Sequence, residues 1–506
     1  MNAYLILGSI GGYFLLLLLI AWITGRKANA SGYFLGNKSS PWIIVALGMI
    51  GDSLSGVTFI SVPGKVGTAH FSYLQLVLGF WLGYFVIAYV LLPVYYRMNL
   101  TSIYTYLEER FGKHSQKTGA LYFMLSRLLG AAARLYLTAS VIQFFVFDQF
   151  GVPFWLSVTI IIILILLYTY KGGIQTLVWT DTFQSLLLIG GVVFTIVSIT
   201  DSLDWSLGEM VGKVYNSEYA DMLVLDWKGK SFLFKDLIGG MFISIAMTGL
   251  DQNMMQKNLS CPNLKDAQKN VVSFSFVMVL VNVFFLSLGA LLYMYAEQIG
   301  FTIPAKTDDL FPQLALSHLG FATGIAFIIG LTASTFSSAD SVLTTLTTSF
   351  YIDFLDLERN TALTQEQKTR KRHIIHVVFA VLLLLVILLF KAFNNQAIID
   401  TVFIVASYTY GPLLGLFGFG LLSKRKITDQ FAPLVCIAAP VLTYIIAIYS
   451  PAVLGGYQFG FELLAVNGLL TYVGLLLIST KNDRQKDFGR GQGMAGDEDN
   501  RLVADI

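Results

Sequence analysis

The stretch Gly48-Met-Ile-Gly-Asp-Ser-Leu-Ser-Gly-Val-Thr58 decides how this chain is read. It lies inside an otherwise apolar run, Trp42–Ser61, and about 20 apolar residues let a helix cross a bilayer. Yet Gly51 and Gly56 bracket Asp52, Ser53, Leu54 and Ser55, so three of the four enclosed residues are polar. Small residues alone would suggest a face where helices pack closely. That explains the glycines but not Asp52, Ser53 and Ser55. The spacing therefore predicts a helix that unwinds in mid-membrane, freeing carbonyls to coordinate a cation or a solute.

Working outward, the rest of the chain supports a membrane setting. Of its 506 residues 55% are hydrophobic and only 13% charged, against roughly 25% charged in soluble domains. A soluble multidomain enzyme, a disordered protein and a nucleic-acid binder are excluded on that ground. The net charge of +2 indicates no polyanionic partner. Two cysteines, Cys261 and Cys436, cannot build a disulfide framework, and five histidines lack metal-ligand spacing.

Thirteen apolar segments are long enough, or nearly so, to span a membrane. They are Leu5–Thr24, Trp42–Ser61, Phe71–Tyr96, Gly119–Phe147, Phe154–Tyr168, Leu177–Thr200, Leu237–Met255, Val271–Tyr295, Phe321–Tyr351, Ile374–Phe390, Ile398–Leu422, Phe431–Tyr449 and Phe461–Thr480. They are continuous and do not alternate, which argues against a β-barrel. Segment 1 is followed by Arg26 and Lys27 and preceded by no positive charge, the reverse of a secretory signal. Alternate loops and the tail hold 24 Lys and Arg, the opposite set only 7. Positive charge marks the cytoplasmic side, so the expected topology has the N-terminus outside and the C-terminus inside, in the plasma (inner) membrane.

Ionisable residues inside a membrane mark function by default. Asp52, Asp181, Asp251, Asp340 and Asp400 qualify, with Arg127 and Arg134 as the matching bases. Segment 7 repeats the pattern of segment 2: Ser244-Ile-Ala-Met-Thr-Gly249-Leu-Asp251-Gln252 is another glycine-interrupted polar break. Two breaks five segments apart point to an inverted-repeat transporter. In segment 9, Ser334, Ser337, Ser338 and Ser341 follow helical spacing, so their hydroxyls share one face with Asp340 at its edge. Oxygen-lined faces suit hard cations. Asp181 opens segment 6 as a second cation ligand or a charge favoured by the helix dipole. Tyr408-Thr-Tyr410-Gly411-Pro412 is expected to break segment 11 and form an extracellular gate.

These residues resemble the sodium:solute symporters, which include sodium–glucose, sodium–proline and bacterial sodium–sialic acid transporters. The resemblance rests on Gly51 through Lys65, Tyr168 through Ile174 with Trp179-Thr-Asp181, Asp251 through Leu259, and the serine run at 337–341, in that order. It implies an all-α membrane protein with a five-plus-five inverted repeat, one extra N-terminal helix and two C-terminal ones. The repeats would occupy 42–200 and 237–427, after an N-terminal part at 1–41. An extracellular loop at 201–236, a C-terminal pair at 428–480 and a disordered cytoplasmic tail at 481–506 complete the layout.

Carried over by position, the principal sodium site would use the carbonyls of Gly51, Leu54 and Ser334 and the hydroxyls of Ser337 and Ser338. A second cation site would use Asp181, Ser337, Asp340 and Ser341. The solute would meet Asp52, Ser53, Ser55, Thr58, Gln75, Asp251 and Gln252. Three departures stand out. Asp340 replaces a serine of the sialic acid members, which leaves its cation as Na+, H+ or none. Asp52 lies one residue before the aspartate of the proline-type members. The arginine that grips a carboxylate in the sialic acid members aligns near Gly130, not on Arg127 or Arg134.

The expected function is sodium-coupled import of a small polar solute by alternating access, with Na+ as coupling ion, no organic cofactor, a lipid bilayer around it and a monomer as the working unit. The alternatives are a proton-coupled or uncoupled carrier or channel of the same fold. An intramembrane enzyme is disfavoured because no His or Cys accompanies the acids.

Overall fold

The computed structural model describes residues 3–25, 30–393 and 398–480. The pair Arg26–Lys27 and the tail expected to be disordered lie outside these residues. Each of the thirteen apolar segments falls on helix. Among the described residues nine helices are long and apolar enough to cross a bilayer, or ten with the bent pair Leu233–Gly249 and Gln252–Asn258. Trp42–Ser53, Phe154–Thr169 and Leu463–Leu477 are apolar but shorter. Length and composition therefore do not reproduce the count of thirteen. One reason is segment 2 itself, whose break leaves a first half too short to span.

That break falls where the glycines and serines place it. Trp42–Ser53 ends as Leu54 (φ −95°, ψ 70°) and Ser55 (φ −70°, ψ 176°) leave the helical region, and Gly56–Ala69 resumes the helix. The flanking glycines are required by close approach. A Cβ at Gly56 would lie 2.2 Å from Thr335 Oγ1, and one at Gly51 would lie 2.6 Å from Ser185 Oγ. Segment 7 breaks in the same manner. Leu233–Ser244 widens into a π turn at Ile245–Gly249, Asp251 is extended, and Gln252–Asn258 departs at 68°. Asp251 caps the second half by accepting from Met254 N at 3.2 Å. The free N–H groups that such an end creates are thus partly satisfied in place.

The two breaks meet at the centre of the bundle, where Asn253 Nδ2 donates to Asp52 Oδ2 at 2.7 Å. Segment 9, Phe321–Ser349, packs against segment 6 and is buried without interruption from Gly330 to Ser349. Segment 3 lies along segment 7, and segment 11 along segments 4 and 13. Segments 1 and 12 stay at the edge and expose Leu15, Leu19, Trp22, Ile437 and Val441. Apolar belts of that extent are stable against lipid rather than water.

Candidate functional site

A cavity of about 80 Å3 opens where the breaks meet. Asp52, Ser53, Ser55 and Thr58 line it from segment 2, as expected, opposite Thr248 of segment 7. Arg127 and Arg134 line it from segment 4. Pockets that enclose a drug-sized ligand run to about 300–1,000 Å3, so this conformation is constricted. Lys65 Nζ pairs with Asp400 Oδ1 at 2.7 Å at one end of the bundle. Tyr293 OH donates to the Gly64 carbonyl nearby at 2.5 Å.

The two arginines differ. Arg127 Nε donates to Asp251 Oδ2 at 2.5 Å, and its Nη2 donates to the Met247 carbonyl at 3.0 Å. Tyr410 OH donates to the same Asp251 oxygen at 2.6 Å. Asp251 is thereby fully engaged. Arg134 is also buried, 8% exposed, but makes no hydrogen bond or ion pair among the described residues. Arg134 lines this cavity and also a smaller neighbouring pocket shared with Gly130, where an added Cβ would meet nothing within 4 Å.

The residues expected to hold sodium gather between segments 2, 6 and 9. Ser338 Oγ lies 3.5 Å from the Asp52 carbonyl and 3.3 Å from that of Ser334. Ser337 Oγ donates to Asp181 Oδ1 at 3.0 Å and Ser341 Oγ to Asp181 Oδ2 at 3.3 Å. Gly51 N donates to Ser185 Oγ at 2.7 Å, which places Leu54 and its freed carbonyl one turn away beside the break. The set offers carbonyl, hydroxyl and carboxylate oxygens, a donor chemistry that fits a hard cation. Asp340 stands apart: its Oδ2 accepts from Tyr168 OH at 2.7 Å, and its Oδ1 has no partner.

Several expectations change. Gln75 does not reach the cavity; its amide donates to the Met222 carbonyl at 2.7 Å. Gln252 is also turned away, since its Oε1 accepts from Ile103 N at 2.9 Å and its Nε2 donates to the Thr101 carbonyl at 2.8 Å. Segment 11 does not break at Gly411-Pro412; the helix runs from Ile398 to Leu422 with Pro412 inside. Tyr408 packs on Tyr444 while Tyr410 turns inward to Asp251, so the two do not form one gate. Two residues on a helix are about 200° apart, and tyrosines at that spacing face different neighbours. Tyr410 also lies three turns along the helix from Asp400, away from the Lys65 end. Asp400 itself is a partly exposed partner of Lys65, not a buried acid.

Lys257 is the residue that sequence reading misplaced. Counted with a cytoplasmic loop, it is instead on the short helix Gln252–Asn258 and 1% exposed. Its Nζ lies 2.8 Å from Asp52 Oδ2 and 2.6 Å from Asp181 Oδ2. Its removal leaves the loop bias at 23 against 7. The available signal was the spacing: Asn253 and Lys257 are one helical turn apart, so they share the face that meets Asp52.

A nearly all-helical bundle whose two broken helices meet at a buried polar cavity has the architecture of a secondary transporter. The chain belongs to the sodium:solute symporter family, whose model matches residues 33–432. It is 24% identical over 422 residues to a sodium/sialic acid symporter of Proteus mirabilis, covering 82% of this chain and 84% of that one. It is 24% identical over 430 residues to the sodium-coupled monocarboxylate transporter 1 of Mus musculus, covering 83% and 67%. The fold matches the substrate-bound, outward-open structure of a Na+-coupled sialic acid symporter with a TM-score of 0.79 at 21% identity, over 94% of this chain and 99% of that one. This chain is accordingly a multi-pass membrane transporter and not an enzyme. It couples the entry of a small solute to sodium by alternating access.

Proposed function

We propose that the solute is a small organic anion, bound through its carboxylate by Arg134. The observation that carries this is the unpaired arginine lining the central cavity. A buried charge without a partner is costly in a protein and more so in a membrane. Arg127, whose charge Asp251 already balances, leaves Arg134 as the cavity's free cation among the described residues. A carboxylate would complete it with charge-assisted, bidentate hydrogen bonds. Ser53, Ser55 and Thr58 supply neutral donors and acceptors for the remainder of the solute. The relatives named for sialic acid and for monocarboxylates handle anions as well.

In this reading sodium binds first, to the carbonyls of Gly51, Leu54 and Ser334 and the hydroxyls of Ser337 and Ser338. It thereby stiffens the break on which Ser53 and Ser55 are carried. The anion follows, and each ligand raises the affinity of the other by the same factor. The segments 42–200 and 237–427 act as the two repeats that rock about the site. The working unit is a monomer in the plasma (inner) membrane, with its N-terminus outside and the Lys65–Asp400 pair on the extracellular end.

Uptake into proteoliposomes tests the reading with lactate, pyruvate and N-acetylneuraminate against neutral sugars and zwitterionic amino acids, with and without an inward sodium gradient. Uptake of at least one carboxylate that collapses without sodium is expected. Sodium-driven uptake of neutral solutes alone would overturn the assignment of the anion, and uptake indifferent to sodium would overturn coupling.

A further inference from the structure

We infer that Gln252, one of the residues expected at the solute, is instead a positioning residue for the transport cycle. It clasps the loop 101–104 to the second half of segment 7, while Asp353 latches the same loop to segment 9. The loop thereby locks the end of the transporter opposite Lys65 and Asp400. Alternating access breaks the latch and keeps the clasp.

The loop joins segments 3 and 4, at the far end of segment 3 from Lys65. Ser102, Ile103 and Tyr104 are buried. Irregular backbone rarely is, because its N–H and C=O groups still need partners. Gln252 supplies them. Its side-chain amide takes the place of a neighbouring backbone: Oε1 accepts from Ile103 N at 2.9 Å and Nε2 donates to the Thr101 carbonyl at 2.8 Å. Tyr104 OH adds a bond to the Leu250 carbonyl at 3.1 Å. Three hydrogen bonds therefore fasten the loop to segment 7, on both sides of Asp251.

The opposite side of the loop is held from segment 9. Asp353 is buried on the π turn Phe350–Phe354 that ends this helix. Its Oδ2 accepts from Ser102 Oγ at 2.9 Å and from Ser349 Oγ at 2.7 Å. Its Oδ1 accepts from Gln116 Nε2, at the start of segment 4, at 3.3 Å. Ser102 Oγ in turn accepts from Tyr104 N at 3.3 Å, so the latch also shapes the loop.

The two anchors sit on elements with different duties. The second half of segment 7 carries Met254, which lines the central cavity, and segment 9 carries the serines of the sodium face. They touch where Thr345 Oγ1 donates to Asn253 Oδ1 at 3.3 Å. Opening the cavity toward this end requires them to part, and the loop cannot follow both. The latch reaches the loop through Ser102 alone. A charge-assisted bond is worth about two neutral ones, so the three neutral bonds to segment 7 outweigh it. The latch is the contact that gives way, and the loop travels with segment 7.

Hydrogen–deuterium exchange of the purified chain in detergent, with and without sodium, tests this and needs no solute. In wild type, sodium is expected to change the exchange of residues 101–104 and 252–258 together. A change in one alone, or in neither, would overturn the inference, and this arm needs no variant. Gln252→Met keeps the bulk and removes both bonds. Exchange at Ile103 is expected to rise about tenfold or more, and the loop should cease to respond to sodium while 252–258 still does. A folded Gln252→Met whose loop still follows 252–258 would overturn the clasp. Asp353→Ala is expected to expose the loop to exchange with or without sodium, still in step with 252–258. Asp353→Asn should recover most of the protection, since its amide oxygen accepts from both serines and its Nδ2 donates to Gln116 once that amide turns over. Equal protection of the loop in Asp353→Ala and wild type would overturn the latch.

Discussion

Arg127 and Arg134 lie seven residues apart on one face of one helix and line the same cavity, yet only one of them has an anion. Arg127 is locked to Asp251, which is itself held by Tyr410 and spent in capping the second half of segment 7. Arg134 lines the cavity across from Asp52 but makes no hydrogen bond or ion pair among the described residues. The same residue type, similarly buried and about 10 Å further along one helix, thus finds different surroundings. One arginine is paired to the broken helix, and the other is the one we propose a ligand completes. Spacing tells which face a side chain shares, but only the partner decides its role.

The contrast can be broken most severely at the paired arginine. Arg127→Met strands the Asp251 carboxylate in the bundle, and breaking a buried pair in this way costs about 3–5 kcal/mol. A large fall in thermal stability in detergent is expected. Arg127→Met with Asp251→Asn should regain most of it, because both charges leave together. Equal loss in the single and double variants would show that the pair is not what holds segment 7. Smaller effects are expected at the sodium face. Ser337→Ala and Ser338→Ala each remove a hydroxyl from the proposed coordination shell. The sodium concentration giving half-maximal uptake should rise about tenfold, the worth of about 1.4 kcal/mol. Thr345→Ala removes a hydroxyl that bonds Asn253 and the Ser341 carbonyl instead, and should shift that constant much less. Indistinguishable constants for the three variants would place the cation elsewhere.

Much of this architecture was legible because the bilayer simplifies the code. Apolar continuity gave the helices, and polar residues beside glycine gave both breaks to within a residue or two. The serine face of segment 9 followed from helical periodicity alone. What escaped were partnerships across distant segments. Lys257 reads as an ordinary loop lysine until the 68° bend carries it between Asp52 and Asp181. Gln75 and Gln252 sit at plausible positions, but backbone groups 147 and 151 residues away claim their amides. Tyr408 and Tyr410 looked like a pair because they are close in sequence, which on an unbroken helix turns them apart. The sialic acid members' arginine aligns near Gly130, and Arg134, one turn on, lines the same small pocket as Gly130.

The central claim, that Arg134 reads a carboxylate, is tested most directly by comparing sodium-dependent uptake in wild type and Arg134→Gln. Each carboxylate transported by wild type would be presented beside its neutral amide. Hydrogen bonds to a charged group contribute about 1.5–3 kcal/mol. Wild type should therefore favour the acid over the amide by about 10- to 100-fold, and Arg134→Gln should lose that preference while folding as stably as wild type. An unchanged preference in Arg134→Gln would contradict the account.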